Sequence, residues 1–182
     1  MIGSLITSQT RIKILKKFFL NSNTRAHLRG LESEFGESTN AIRIELNRLE
    51  SAGLLSSFFL GNKKLYQANM KHPLFNEIHN IVLKDFGLDK VVEKIIHRIG
   101  NLIYVYLIGD FARGKDSSVI ELLLVGNDID NEYLIRKIAQ VEEYIGRKLV
   151  YTIHTENEIK ERLRIFESSE VLLLWSNGTK KI

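Results

Sequence analysis

The sequence predicts an α+β fold in two parts: three short helices with a β-hairpin, then a smaller α/β domain with a mixed sheet. Two observations support this prediction. An amphipathic helix within residues 38–55 ends at Gly53 and runs directly into paired strands. Two apolar strands, 101–108 and 119–125, then alternate with turns and helices. The expected domains are residues 1–72, a helical connector 73–100, and residues 101–182.

Helical spacing of apolar residues predicts the first two helices. Ile12, Leu15 and Phe19 place one helix in residues 11–20. The same periodicity places a second helix from Ala26 to Phe35, with its end at Gly36.

The third predicted helix has an apolar stripe and a polar face. Ser38 is expected to cap it by accepting a hydrogen bond from a backbone N–H, and Ile42, Leu46 and Leu49 form the stripe. The opposite side carries Asn40, Arg43, Asn47 and Ser51, with Arg48 on its flank. Amides and guanidiniums on an outer helix face are side chains that hydrogen-bond base edges.

A β-hairpin follows this helix. Strands 54–60 and 64–68 flank a turn with a basic tip, Gly61-Asn62-Lys63. Three helices followed by a two-stranded ribbon is the order of a winged helix. Residues 5–70 resemble the winged-helix domains of bacterial and archaeal transcription regulators of the arsenic-repressor type. The resemblance rests on Arg11-Ile-Lys-Ile-Leu15, Leu28-Arg-Gly-Leu31 and residues 45–55.

That resemblance implies double-stranded DNA as the partner, with the third helix in the major groove and the wing tip at the backbone. Charge agrees, because residues 1–72 hold 11 Lys and Arg against 5 Asp and Glu, whereas residues 73–182 hold 15 against 17. The residues expected to read bases are Thr39, Asn40, Arg43 and Asn47; those expected at phosphates are Arg48, Lys63 and Lys64. Four cations of the first helix are interpreted either as further phosphate contacts or as a solvated face: Arg11, Lys13, Lys16 and Lys17.

Composition excludes other classes of protein. The chain has no cysteine, hence no disulfide and no thiolate metal sensor. It has no apolar run of 18 residues and no signal-peptide pattern, so we expect a cytoplasmic protein without a membrane partner. No metal site and no cofactor are expected, since the histidines lack ligand spacing and are interpreted as surface or boundary residues. They are His27, His72, His79, His97 and His154.

Pro73 marks the expected domain boundary. Two helices are predicted after it, 74–85 and 88–99. The apolar stripe of the second helix leaves two alternatives open, a dimer contact and an intramolecular core. It consists of Val91, Val92, Ile95, Ile96 and Ile99.

The second half predicts alternating strands and helices. Strands 101–108 and 119–125 precede a helix 131–145, a strand 148–155 and a helix from Glu156. This order resembles a minimal nucleotidyltransferase domain of the DNA polymerase β superfamily, which carries a Gly-Ser turn, an Ala-Arg-Gly stretch and two aspartates on the next strand. The matching residues are Gly109, Ala112, Arg113, Gly114, Ser118, Ile120 and Leu122 to Val125.

The catalytic groups that the resemblance implies are missing from this motif. The positions of the two metal-binding aspartates are taken by Val119 and Glu121, and strand 148–155 offers no acid for the third. Asp110 replaces the serine of the turn, where a carboxylate disfavours phosphate, and is interpreted as a helix cap. We therefore expect a degenerate domain with no catalytic residues. Its motif residues are Gly109, Asp110, Arg113, Gly114, Ser118 and Glu121.

The expected function is thus a DNA-binding transcriptional regulator whose second domain is not an enzyme and serves sensing, homodimerisation or binding of a protein partner. The alternatives are an antitoxin-like interaction protein and, less favoured, an active nucleotidyltransferase. Residues 169–175 predict either a short buried strand or a helix closed by Gly178, with a last strand missing or very short; Trp175 is interpreted as a core-edge residue.

Overall fold

The computed structural model of the protein divides into two compact units, Met1–Asp85 and Phe86–Ile182. The residues that it describes are 2–96, 99–167 and 170–178. The predicted connector, residues 73–100, is shared between the units, because its first helix belongs to unit 1 and its second helix to unit 2.

Unit 1 is a winged helix. Its elements are the 3-10 turn Ile2–Ser4, α1 Gln9–Leu20, β1 Ala26–His27, α2 Leu28–Phe35, α3 Thr39–Ser51, β2 Leu55–Leu60, β3 Lys63–Ala68 and α4 Phe75–Asp85. The strands pair antiparallel in the order β1–β3–β2. Three helices with a hairpin and a short strand added to it are the winged-helix arrangement, which confirms the predicted fold class for this half.

The predicted start of the second helix is wrong by two residues. Ala26 and His27 form the short strand β1, in which Ala26 pairs with Tyr66. The helix begins at Leu28, where Nδ1 of His27 accepts a hydrogen bond from the Gly30 N–H at 3.1 Å. Helical periodicity did not distinguish these two residues, because their strand exists only through its pairing with β3.

The third helix and the hairpin agree with the sequence. Ser38 caps α3 by accepting a hydrogen bond from the Ala41 N–H at 3.2 Å. Gly53, just after the helix, has a φ of +74°, as a left-handed cap requires. The hairpin turn is Gly61-Asn62, and Lys63 is already part of β3.

Unit 2 is an α/β unit with a mixed four-stranded sheet, as predicted. Its elements are α5 Leu88–Ile96, β4 Asn101–Ile108, α6 Gly109–Ala112, β5 Val119–Asn127, α7 Asn131–Ile145, β6 Lys148–His154, α8 Glu156–Leu163 and β7 Leu172–Ser176. The strand order is β6–β5–β4–β7. The β5–β6 pair is parallel, and the other two pairs are antiparallel.

Residues 172–176 form a strand, so the helical alternative for this segment is wrong. The positions after Gly178, where a further strand is expected to be missing or very short, lie outside the described residues. β7 pairs antiparallel with β4, and Trp175, half-buried, lies opposite Val105. Pairing with an existing strand satisfies the backbone of β7, which a local reading of the sequence does not reveal. Ser169 and Ile182 lie outside the described residues.

The stripe of α5 belongs to the interior of unit 2. Val91 and Ile95 are buried, and α5 packs against α7. The core alternative therefore holds for these two residues. The side chain of Ile96 and the whole of His97 lie outside the described residues. Across the described part of the chain, we find no helix whose length and apolar character suffice to cross a membrane.

Candidate nucleic-acid interface

The outer face of α3 exposes the polar residues that the sequence predicts there. Ile42, Leu46 and Leu49 are buried on the inner face, which holds the helix against unit 1. Asn40, Arg43 and Asn47 are exposed on the outer face, as is Ser51 one turn further on. Thr39, the first residue of the helix, is half-buried. The amide and guanidinium groups are therefore free to meet base edges in a major groove.

Arg48 lies on the flank of this face, next to a buried carboxylate. Its Nη1 is 3.3 Å from Oε1 of Glu45. Oε1 also accepts a hydrogen bond from Oγ of Ser8 at 2.9 Å, and Oε2 accepts one from Nε of Arg11 at 2.8 Å. Burial raises the pKa of the Glu45 carboxyl, but the hydrogen bonds from Arg11 and Ser8 and the charges of Arg11 and Arg48 lower the pKa overall. Glu45 thus fixes α3 to α1 and restrains Arg48 from one side.

The two lysines of the wing have different surroundings. Lys63 at the tip is exposed, whereas Nζ of Lys64 is 2.8 Å from Oε2 of Glu50 and 4.9 Å from the centre of the Tyr66 ring. The hydrogen bond to Glu50 is the main cause that raises the pKa of Lys64. Glu50 also accepts a hydrogen bond from Ser57, so it fastens the wing to the end of α3. Only Lys63 of this pair presents a charge without a neighbouring carboxylate in the described part of unit 1.

Each cation of α1 lies beside a carboxylate of unit 1. Lys13 is 2.7 Å from Glu37, and Lys17, which is buried, is 2.8 Å from Glu34. Lys16 is 2.9 Å from Asp85 of α4. Together with Arg11, these side chains hold α1 to the rest of unit 1, so most of the local positive charge is neutralised within the fold. Counting Lys and Arg against Asp and Glu along the sequence does not show which of these cations are paired, because their partners are distant in sequence.

Two exposed arginines near the start of α2 were not predicted as site residues. The guanidinium of Arg25 lies 5.4 Å from the centre of the Phe58 ring on β2, and Arg29 lies in the first turn of α2. Among the residues that the structure describes, neither forms an ion pair. Among the described residues, the free cations of unit 1 near α2, α3 and the wing are Arg25, Arg29, Arg43, Lys63 and Lys71. No local sequence signal distinguishes them from the paired cations, since Arg29 is followed by Glu32 at i+3 on the same helix.

In unit 2, the motif residues surround the turn between β4 and β5. Glu121 lies opposite Ile108 in the sheet and beside Val150 of β6. A Cβ atom at Gly109 would lie 1.9 Å from Oε1 of Glu121, so the carboxylate packs directly on this glycine, whose φ is +70°. The prediction that Asp110 caps α6 is wrong. The cap residue is Ile108, which makes no side-chain hydrogen bond there, and Asp110 lies in the first turn, 3.7 Å from Lys115.

The remaining motif residues are also engaged within unit 2. Nη2 of Arg113 is 2.7 Å from Oε1 of Glu170, and this hydrogen bond is the main cause that lowers the pKa of Glu170. Gly114 is buried, and the exposed Ser118 accepts a hydrogen bond at its backbone oxygen from the Lys148 N–H. The motif arginine therefore faces an acid of the same chain.

Glu121 is the one acid of β5. On the face of β5 that carries Glu121, Val119 takes the position at which the nucleotidyltransferases that the motif resembles have their other aspartate, and the neighbouring positions of β6 are Lys148 and Val150. Within the described ranges, no group of three or more His, Cys, Asp or Glu residues is placed to hold a metal ion. Of the histidines, His79 is buried rather than at the surface: its Nδ1 is 2.6 Å from the backbone oxygen of Phe19.

Comparisons with known proteins return structures only. No family model and no curated protein matches the chain. Reduced HlyU from Vibrio cholerae aligns over 47% of this chain and 85% of its own, at 16% identity and a TM-score of 0.38. A Sulfolobus solfataricus protein named as a candidate nucleotidyltransferase aligns over 63% and 98%, at 20% identity and a TM-score of 0.37. A toxin–antitoxin structure with AMP-PNP aligns over 50% and 75%, at 15% identity and a TM-score of 0.37.

Proposed function

We propose that this chain is a DNA-binding transcriptional regulator that binds double-stranded DNA through α3 and the wing of unit 1. The observation that carries the proposal is the contrast within unit 1. The cations of α1 are held in ion pairs, whereas Arg43 on the outer face of α3 and Lys63 at the wing tip remain free and exposed among the described residues. A protein that binds duplex DNA sequence-specifically needs free cations to contact phosphates and exposed amide or guanidinium groups to hydrogen-bond base edges.

The exposed residues of α3 and the cations around them have different roles in this proposal. Asn40, Arg43 and Asn47 lie on one helix face and hydrogen-bond base edges, with Thr39 at the start of the same helix. Lys63 contacts phosphate from the wing, and Arg48 and Lys64 do so less strongly, because each already lies beside a carboxylate. Sequence preference therefore resides in α3, and general affinity in the surrounding cations.

We propose further that unit 2 is not an enzyme and serves sensing, dimerisation or partner binding. Glu121 is the single acid on its face of β5, and its carboxylate covers Gly109 of the motif turn. Arg113 is paired with Glu170 instead of being available to an incoming phosphate. One glutamate does not organise the two metal ions that clamp a triphosphate, and two acids at the turn repel it.

Fluorescence anisotropy with the full chain tests DNA binding. The probes are a labelled duplex from immediately upstream of its own gene and a random duplex of equal length, each at several salt concentrations. Tighter binding of the upstream duplex that persists at physiological salt supports a sequence-specific regulator. Equal and salt-sensitive binding of both probes contradicts it. No binding to either favours the alternative of an interaction protein.

Transfer of labelled nucleotide in the presence of Mg²⁺ tests the proposal for unit 2. We expect no transfer to the chain itself or to added RNA. Transfer that is lost in Glu121→Gln, and retained in the control Glu143→Gln on the exposed side of α7, would overturn the proposal.

A further inference from the structure

An exposed isoleucine occupies the centre of the outer face of α3. Ile44 leaves 42% of its surface exposed, whereas Ile42 and Leu46 are fully buried and Leu49 is 6% exposed. The inner stripe of α3 therefore fills the core without Ile44. From the sequence we predicted the polar residues of the outer face and the three apolar residues of the stripe, and did not consider Ile44.

The exposed part of Ile44 adds little to the stability of α3, because surface that stays in water gains nothing from burial within the fold. A β-branched side chain also loses rotamer freedom in a helix, so isoleucine has a lower helix propensity than alanine, lysine or glutamate. Single exposed apolar residues are common on protein surfaces. The position of Ile44 among the exposed amides of α3, and not its exposure alone, is therefore what points to a ligand.

The neighbours of Ile44 on the helix surface are the proposed base readers. Asn40 lies one turn before it, at i−4, and Asn47 lies at i+3. Both are exposed, so the three side chains form one row on the outer face. Arg48, at i+4, borders the row and is held at Glu45.

The chemistry of this row matches an A·T base pair. Asparagine makes two hydrogen bonds to the N6 and N7 atoms of adenine, and the C5-methyl of thymine is the apolar group that base edges present in the major groove. A row of amide, branched alkyl and amide fits adenine edges with a thymine methyl between or beside them. A G·C pair offers the alkyl group nothing to contact.

We propose that Ile44 packs on the C5-methyl of a thymine in the bound DNA, and that Asn40 and Asn47 read adenines next to it. The inference rests on the proposed function, since it requires α3 to enter the major groove. It adds the chemical class of the target sequence: a half-site whose α3 contacts are A·T pairs, one of which is identified through its methyl group.

The experiment replaces thymine by deoxyuridine, which removes only the methyl group. Duplexes bound by the full chain are first selected from a random library. The selected duplex is then synthesised with deoxyuridine at each thymine in turn, and affinity is measured by anisotropy. For the wild type we expect about fourfold weaker binding at one thymine of each half-site, the value of about 0.8 kcal/mol per methylene-sized group buried. Ile44→Val should keep this sensitivity, and Ile44→Ala should lose it.

Ile135 provides a matched control. It is an isoleucine on α7 that is 59% exposed, so Ile135→Ala removes the same atoms from a helix surface in unit 2. We expect this variant to retain both the affinity and the methyl sensitivity of the wild type. Thermal unfolding checks that Ile44→Ala remains folded; a small decrease in Tm is expected, because part of the side chain is covered.

The outcomes separate this inference from the function on which it rests. Selection of no sequence, or equal binding of selected and random duplexes, overturns the proposed function. Specific binding that ignores the methyl at every thymine leaves that function intact and overturns the role of Ile44. A methyl effect of equal size in the wild type and in Ile44→Ala also overturns it, because another group would then contact the methyl.

Discussion

Glu45 is the residue that ties α3 to α1. It is buried on α3, yet its carboxylate is held by Ser8 and Arg11, more than 30 residues earlier in the chain. A buried carboxylate with charged and hydroxyl donors stabilises the fold only while all partners are present. Arg48 on the outer side belongs to the same cluster, so the inner contact also positions a residue of the candidate interface.

The first prediction concerns this cluster. Glu45→Gln should lower the free energy of unfolding by about 2 kcal/mol, because a neutral amide replaces a buried acceptor of three hydrogen bonds from arginines, two from Arg11 and one from Arg48. Chemical denaturation at pH 7 measures it. Glu37→Gln breaks the more exposed pair with Lys13 and should have a much smaller effect. Equal effects of the two substitutions would show that burial of Glu45 is unimportant.

A second prediction separates base reading from phosphate contact. Arg43→Ala should weaken binding to a selected duplex by about 1–3 kcal/mol and relax preference at one position, with little effect on random DNA. Lys63→Ala should weaken binding to both duplexes alike and reduce the salt dependence. Titration of both variants against both duplexes decides the matter. The same behaviour on specific and random DNA for both variants would contradict the division of roles.

At the level of elements, the packing of α4 on α1 contains a buried histidine. His79 of α4 stacks on Phe75, with ring centres 6.0 Å apart, and its Nδ1 donates to the backbone oxygen of Phe19 on α1. Nδ1 must carry the proton there, since a carbonyl oxygen only accepts. Burial lowers the pKa of His79, and the hydrogen bond to Phe19 offsets this only in part.

A third prediction follows for the pH dependence of stability. Because the pKa of His79 is lower in the folded than in the unfolded chain, the unfolded chain binds more protons as the pH falls below about 6.5. Stability should therefore decrease from pH 6.5 downwards, by at most about 1.4 kcal/mol per pH unit. His79→Gln should show a flatter dependence between pH 5 and 6.5, as measured by urea denaturation.

The buried carboxyl groups of Glu45 and Asp85 do not account for a change in stability between pH 5 and 6.5. The pKa values of Glu45 and Asp85 lie below their ordinary values of 4.5 and 3.8, so the stability that they provide is lost only at lower pH. An unchanged slope in His79→Gln would assign the acid sensitivity to another group. In that case His79 would remain a packing residue alone.

At the level of the whole molecule, the number of Lys and Arg residues differs from the number that are free to contact phosphate. Six of the 11 Lys and Arg residues of 1–72 lie beside carboxylates inside unit 1, so the acids there are used within the fold. The free cations near α2, α3 and the wing, among the described residues, are Arg25, Arg29, Arg43, Lys63 and Lys71. A count of residues overestimates how many phosphates the chain neutralises.

The fourth prediction is the salt dependence of DNA binding. Arg43 is assigned to base edges and is left out of this count. The other four free cations predict a slope of log K against log salt of about −3 to −4 for each bound copy of the chain; they are Arg25, Arg29, Lys63 and Lys71. Arg29→Ala should reduce the magnitude of the slope by about one. Lys13→Ala, which removes a paired cation, should leave the slope unchanged. A slope that responds equally to both substitutions would mean that the ion pairs of α1 open on DNA.

Much of the fold was predictable from the sequence, because the relevant interactions are local. The bounds of β4 and α7 agree with the predicted 101–108 and 131–145, since apolar periodicity, the cap at Asp130 and the left-handed Gly146 all act within a few residues. The polar face of α3 was predicted for the same reason. The helical repeat alone was therefore enough to place the candidate residues of α3 on its exposed face.

The sequence by itself determined the order of helices and strands and the polar outer face of α3. It also determined that Val119 and Glu121 stand where the resembled nucleotidyltransferases have two aspartates. Only the tertiary structure decided the strand β1, the strand β7 and the pairing of α1 cations with Glu34, Glu37 and Asp85. It also decided that Ile44 remains outside the core. The physical reason is range: caps and periodicity act between neighbours in sequence, whereas strand pairing, ion pairing and burial depend on residues that only the folded chain brings together.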